Sequence, residues 1–392
     1  MIEAMVRSSP GVVGADGRYR IPVPTGPRPA DLVLAGEPLP LTGTLRVYTC
    51  GITPYDVTHL GHAATFVWAD LLVTLARALE VRAVSCRNVT DVDDVLTRAA
   101  GLRHRHYDEL AVTQEFLFER DMTDLSVARP DSTPHARSHV PQVIQLVDAL
   151  LTRDRAYAQD GTVFFRAPDD LDRGGLDEAE ALAAFAEFGD REDDGRASPW
   201  DVPLWKPSPA DHPAWPSPWG WGRPAWHVEC AAMAATALGH AVDVLAGGAD
   251  LTFPHHAYQA AILEAATGIA PFARRHLHVG TVHLDGAKMA KSKGNLVLVR
   301  DLLAEHPGAV VRMMLLHRPW SEPWEYDPAL PARAAEQVEA LHAAAGRPGA
   351  GPEGRDAVLA ALVDDVDVPR AYAEALDRGG EAARALADLL KV

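Results

Sequence analysis

Short apolar runs in this chain are followed by stretches in which apolar residues recur three and four positions apart. LRVYTCG (45–51) is a compact apolar run ending in Cys-Gly and predicts a buried strand. HLGHAATFVWADLLVTLARALE (59–80) carries its apolar residues at helical spacing, and VRAVSCRNVTD (81–91) returns to a strand pattern. Strand, helix and strand in this order predict a βαβ unit on a parallel sheet. Residues 95–160 are mostly helical in pattern, and GTVFFRA (161–167) is a short strand. HVECAAMAATALG (227–239) predicts a helix, AVDVLAGG (241–248) a strand with a Gly turn, HAYQAAILEAATG (256–268) a helix and HLHVGTVHLDG (276–286) a strand. From about residue 300 the pattern is helical and Ala-rich, interrupted by GRPGAGPEG (346–354).

Other stretches have no period. Residues 1–44 are rich in Gly and Pro with one apolar patch, DLVLAG, and read as an extension that packs on a domain. Residues 168–200 are charged and Ala-rich, without an assignment. Residues 199–226 hold six of the nine tryptophans and eight of the thirty prolines. That is too much proline for a helix and too much aromatic surface for a linker, so an ordered loop system walling a pocket is expected.

Composition narrows the class. Of 392 residues, 47% are hydrophobic and 23% charged, the balance of a soluble globular protein of more than one domain. No window approaches the roughly 18 apolar residues of a membrane span. The N-terminal stretch has no signal-peptide core, so no membrane partner and a cytoplasmic location are expected. The net charge of −17 argues against a nucleic-acid partner, because proteins that follow phosphate backbones carry basic surfaces. Three cysteines, Cys50, Cys86 and Cys230, are too few and too scattered for a disulfide framework.

Three constellations carry chemistry. His59-Leu60-Gly61-His62 opens a helix directly after a strand. A helix N-terminus offers free N–H groups and the positive end of a dipole to phosphate, Gly61 lets a nucleotide approach the backbone, and His59 and His62 share one face. By itself the motif also fits two surface histidines. Lys288-Met289-Ala290-Lys291-Ser292, with Lys293-Gly294-Asn295 after it, is a basic loop able to clamp a triphosphate as pyrophosphate leaves, although a solvated basic turn reads the same way. The third set is Cys50 at a strand end, Cys230 in WHVEC and His255 in FPHH. Two thiolates and an imidazole suit Zn²⁺ and leave a position for a substrate thiolate. Spacing alone leaves open two buried cysteines and a structural histidine.

Jointly, in this order and separation, HLGH and KMAKS resemble the two signatures of class I aminoacyl-tRNA synthetases. The resemblance implies an α/β fold with a Rossmann-like parallel-sheet nucleotide-binding core, ATP with Mg²⁺ as substrate and an acyl-adenylate intermediate. It places an N-terminal extension at 1–44, a catalytic domain at 45–300 with a connective insertion at about 125–200, and a C-terminal helical bundle at 301–392. CGIT (50–53), NVTDVDD (88–94), the Trp-rich stretch to Cys230 and GGADLTFPHH (247–256) are similar to cysteinyl-tRNA synthetases and their near relatives. That likeness implies Cys50, Cys230 and His255 as ligands of one zinc, with Thr53, Thr90, Trp226 and Asp250 around the L-cysteine substrate. It also implies His59, His62, Lys288 and Lys291 as catalytic groups, with Gly61 and Ser292 on the nucleotide.

Two departures from the synthetases concern the acceptor. Gln259 stands four residues after His255, where those enzymes have a Glu ligand, and the residues after the lysine loop are few and acidic. CGITPYDVTHLGHAATF (50–66), KGNLVLV (293–299) and DDVDVPRAYA (364–373) resemble the cysteine ligases of mycothiol synthesis. That family implies a small amine, the amino sugar glucosaminyl-inositol, as acceptor. Ala249, Ala257 and Ala290 depart from that pattern and keep a ligase for another amine open, beside a truncated cysteinyl-tRNA synthetase. The base for amide formation is not assigned, with His283 and Asp94 as candidates.

Overall fold

Alternation along the strand Leu45–Ile52 decides which face of the sheet each side chain meets. Leu45 and Val47 enter one core, with the helix Leu60–Ala78, while Tyr48 and Cys50 enter the core on the opposite face. A register shift between Thr49 and Ile52 then returns Ile52 to the first core. Cys50 therefore points at the face covered by the helix Trp226–Leu238, which carries Cys230.

The computed structural model describes residues 12–13, 19–20, 32–41, 43–187, 195–210, 212–289 and 294–392. Met1–Ala30 form one unit, whose described backbone is an antiparallel pair, Val12–Val13 with Tyr19–Arg20. Asp31–Val392 form the other. At its centre four parallel strands lie in the order Ala273–Val279, Val242–Gly248, Leu45–Ile52, Ala83–Val89. Both faces are covered, as a parallel sheet requires. The helix Leu60–Ala78 lies on one side, and Val140–Thr152, Trp226–Leu238 and Ala257–Thr267 contribute to the core on the other. The fold is α/β with a Rossmann-like parallel core.

A second sheet is antiparallel, in the order Gly222–Pro224, Val202–Pro207, Thr162–Phe165, Ala156–Gln159. Part of the stretch 199–226 is therefore strand, not loop. Pro203, Pro207 and Pro224 remove ladder donors and disguise the pattern, yet Val202, Leu204 and Trp205 are fully buried. The unassigned stretch 168–200 contains the helix Glu178–Glu187. Within 346–354, the helix Pro352–Val363 already begins, with proline in its first turn, where a missing N–H does no harm.

The helices Gly308–Leu316 and Gly380–Leu390 pack near the helix Leu60–Ala78 around a fully buried guanidinium. Arg312 donates to Leu390 O (2.7 Å), Leu125 O (2.9 Å) and Asp70 Oδ2 (3.1 Å), and Lys391 Nζ reaches Asp70 Oδ1 at 2.8 Å. Among the described residues, no helix is long and apolar enough to cross a membrane.

Candidate functional site

Chain segments far apart in sequence meet at the C-terminal ends of the parallel strands. Leu60 N donates to Val297 O (2.9 Å) and Val299 N to Thr58 O (3.1 Å), so the stretch after the lysine loop is stitched to the start of the helix Leu60–Ala78. The rings of His59 and His62 stack with centroids 3.8 Å apart, with Gly61 between them in sequence. Asn295 Nδ2 donates to the carbonyls of Lys288 (3.2 Å) and Ala287 (3.4 Å), closing the base of the lysine loop. Lys288 Nζ lies 3.0 Å from Asp250 Oδ2. Lys291, Ser292 and Ala290 lie outside the described residues.

Cys50, Cys230 and His255 bring one potential ligand atom each to within 4.8 Å of one another, and all three are buried. The surroundings fit a metal ion. His255 Nδ1 meets His227 Nδ1 at 2.9 Å, while His255 Nε2 is buried without a hydrogen-bond partner. A buried imidazole with an unpaired ring nitrogen, grouped with two sulfurs, is a donor set that suits a cation. Burial and the neighbouring His227 push the His255 imidazole well below its ordinary 6.5, so it is neutral, the form that binds metal. Burial also pushes the Cys230 thiol well above 9.0, with Cys50 beside it adding to the shift. A thiolate there requires a positive charge close by.

The His255 ring is held on its face. Trp226 stacks on His255 with centroids 3.9 Å apart and an interplanar angle of 16°. Gln259, fully buried, places Oε1 3.5 Å from Cys50 Sγ and donates Nε2 to Cys230 O at 3.4 Å. Thr53 and Thr90 share a hydrogen bond of 2.7 Å between hydroxyls, and Thr90 Oγ1 donates to Ile52 O at 3.2 Å. Of the three cysteines, Cys86 stands apart from the Cys50–Cys230–His255 group, a core thiol pushed up to about 11 by burial.

Several participants carry no motif of their own. His256 Nδ1 meets His278 Nε2 at 2.8 Å, and His276 stacks on His278, so a row of imidazoles runs from the sulfur site toward Asp250. Burial, with neighbouring imidazoles, lowers His256 and brings His278 to about 4, and burial lowers His276 against the pull of Asp172. The i, i+2 spacing of His276 and His278 on one strand was the signal available in the sequence. Gly247 admits this row, since a Cβ there would lie 2.7 Å from the His256 ring. Asp94 is gripped by Arg223 Nε (2.6 Å) and Lys206 Nζ (2.7 Å). Burial pushes its carboxyl up, but the two cations prevail and hold it well below the carboxylate range, which disqualifies it as a base at neutral pH. His283 Nε2 is 3.1 Å from Thr281 Oγ1.

Known proteins resemble this chain in sequence and in fold. The model of the tRNA synthetases class I (C) catalytic domain matches residues 40–336. The L-cysteine:1D-myo-inositol 2-amino-2-deoxy-alpha-D-glucopyranoside ligase of Acidothermus cellulolyticus is 40% identical over 375 residues, covering 93% of this chain and 91% of that protein. The protein of the same name from Cellulomonas flavigena is 44% identical over 343 residues, 84% and 82% of the two chains. The cysteine–tRNA ligase of Rhodospirillum rubrum is 37% identical over 363 residues, 89% and 77%. Among solved structures, Mycobacterium tuberculosis methionyl-tRNA synthetase in complex with methionyl-adenylate superposes with a TM-score of 0.60 at 18% identity, covering 89% of this chain and 82% of that one, a likeness of fold alone. With three quarters of its length matched and the HLGH and lysine-loop segments joined at the ends of one parallel sheet, this chain belongs to the family of class I (C) tRNA synthetase catalytic domains.

Proposed function

We propose that this protein is a cytoplasmic ATP-dependent ligase that activates L-cysteine as cysteinyl-adenylate and transfers it to the amine of a small amino sugar, glucosaminyl-inositol. The observation that carries the reading is the buried Cys50–Cys230–His255 group with its unpaired imidazole nitrogen. A bound zinc ion would supply a Lewis-acid seat that distinguishes a thiolate from a hydroxyl. The likeness to ligases named for this cysteine–amino sugar reaction supports the acceptor.

The chain's own residues divide the remaining tasks. Asp250 accepts hydrogen bonds from the cysteine ammonium, a charge-assisted contact. Thr53, Thr90 and Trp226 bound the space around the amino acid. The N-terminus of the helix Leu60–Ala78, with Gly61, His59 and His62, meets the phosphates of ATP–Mg²⁺. The cysteine carboxylate oxygen attacks the α-phosphorus, and pyrophosphate leaves as Lys288, Lys291 and Ser292 stabilise its charge. The acceptor nitrogen then attacks the carbonyl carbon, AMP departs, and the nitrogen gives up a proton to form the amide. Positioning and electrostatics do most of this work.

A second reading, transfer to tRNA, draws on the likeness to a cysteine–tRNA ligase. The net charge of −17 and the neutral Gln259 beside the sulfur group favour the small amine. One assay separates them. Purified protein is given ATP, Mg²⁺, cysteine and, in parallel, glucosaminyl-inositol, other amino sugars and tRNA, with AMP and product followed by mass spectrometry. Amide formation only with an amino sugar is expected, and charging of tRNA alone would sink the proposal.

A further inference from the structure

Asn88 sits at the end of the strand Ala83–Val89, two residues before Thr90, and is 1% exposed. The two ends of its amide have different needs. Oδ1 accepts from Gly51 N at 2.9 Å. A backbone N–H can only donate, so the oxygen end is fixed there and the amide cannot be turned over. Nδ2 must then face outward, and it meets Cys230 Sγ at 3.4 Å. The contact with Gly51 is itself enforced, since a Cβ at that position would lie 1.7 Å from Asn88 O. One amide thus ties the backbone next to Cys50 to the sulfur of Cys230.

The charge count of the centre gives this contact its meaning. A dication with two thiolates and a neutral imidazole is electrically neutral, and a third sulfur from the substrate makes the buried centre an anion. N–H groups aimed at the sulfurs are what stabilise such a centre away from water. Cys230 O is separately held, accepting from Tyr48 O–H at 3.1 Å, so the backbone of this ligand and its sulfur have different partners.

We infer that Asn88 is a positioning residue of the metal centre: locked by Gly51, it donates its N–H to the Cys230 sulfur, aims that ligand and draws off part of its charge, so that the ion accepts the substrate sulfur. This rests on the reading of Cys50, Cys230 and His255 as metal ligands.

The test uses the full chain loaded with Co²⁺ in place of zinc. Asn88→Asp keeps the shape and the acceptor for Gly51 but replaces the N–H by oxygen, and Asn88→Ala removes both. In each, the sulfur-to-cobalt charge-transfer band is expected to shift, the metal affinity to fall about 10–100-fold, and the further band change on adding cysteine to need higher cysteine. Unchanged spectra and affinities in both variants overturn the inference while leaving the metal reading intact. A wild-type chain that takes up no cobalt overturns the metal reading and this inference with it. Should neither variant fold, cadmium-113-loaded wild type decides. A coupling from the metal to the Asn88 side-chain amide proton is expected, and an amide proton that the metal leaves unmoved overturns the assignment.

Discussion

Lys288 Nζ and Asp250 Oδ2 are 3.0 Å apart, so the carboxylate proposed to receive the cysteine ammonium already holds a lysine of the nucleotide loop. Two cations compete for one anion. If the ammonium takes Asp250 as proposed, Lys288 is released toward the phosphates, and amino acid and ATP are expected to bind cooperatively. ATP affinity, titrated with and without the unreactive analogue cysteinol, is expected to rise with the analogue present. Asp250→Asn should abolish this coupling and raise the KM for cysteine about 10–100-fold, the worth of a hydrogen bond to a charged group. Coupling of equal size in the variant would exclude the exchange.

Removal of the proposed metal tests the sulfur site directly. Without a cation, burial keeps Cys230 as a neutral thiol, and nothing favours a substrate thiolate over a hydroxyl. Chelated protein is expected to lose cysteine-dependent pyrophosphate exchange into ATP and to regain it with one equivalent of zinc. Serine should remain inert in both states. Full exchange in protein shown by elemental analysis to be metal-free would contradict the assignment.

A pH dependence of stability follows from His135. Its Nε2 lies 3.0 Å from Glu115 Oε1, and this hydrogen bond, against the opposing effect of burial, raises the imidazole above its ordinary 6.5. A group whose folded value is raised contributes its stability below the unfolded value and loses it as pH climbs through the folded one. His135→Gln is therefore expected to lower the thermal midpoint by about 2 °C at pH 5.5, with the deficit closing by pH 8.5. A deficit constant across that range would point to packing instead of charge.

What the sequence made legible lies mostly at strand ends. Cys50, Thr90 and Asp250 each follow or close a core strand, and adjacent parallel strands deliver their ends to one edge. Motif position therefore translated into spatial neighbourhood. The spacing of His276 and His278 was visible, but the pairing of His278 with His256, the Asn88–Cys230 contact and the Arg223–Asp94–Lys206 cluster were not legible. They depend on which helix crosses which strand, and no local period encodes that. The strand Val202–Pro207 was hidden for another reason, because its prolines carry the composition of a loop. Packing of Val202, Leu204 and Trp205 overrides that local signal.

The tie between Asp70 and Arg312 yields the largest expected effect on stability. Both side chains are buried, at 4% and 0% exposure, and Arg312 also satisfies two backbone carbonyls at Leu125 and Leu390. Arg312→Met leaves Asp70 with Lys391 and strips those carbonyls of their donor. Breaking one side of a buried pair costs about 3–5 kcal/mol, and the loss should appear as a lower denaturation midpoint. Replacing both partners, Asp70→Leu with Arg312→Met, also removes the buried carboxylate that has lost its guanidinium. It should recover part of the loss, although the two carbonyls still lack their donor and Lys391 then loses Asp70, keeping its bond to Ser126 O (3.1 Å). If the double variant is less stable than Arg312→Met alone, Asp70 is held mainly by Lys391 and by its bond from Ala128 N (2.9 Å), and the guanidinium acts chiefly on the carbonyls.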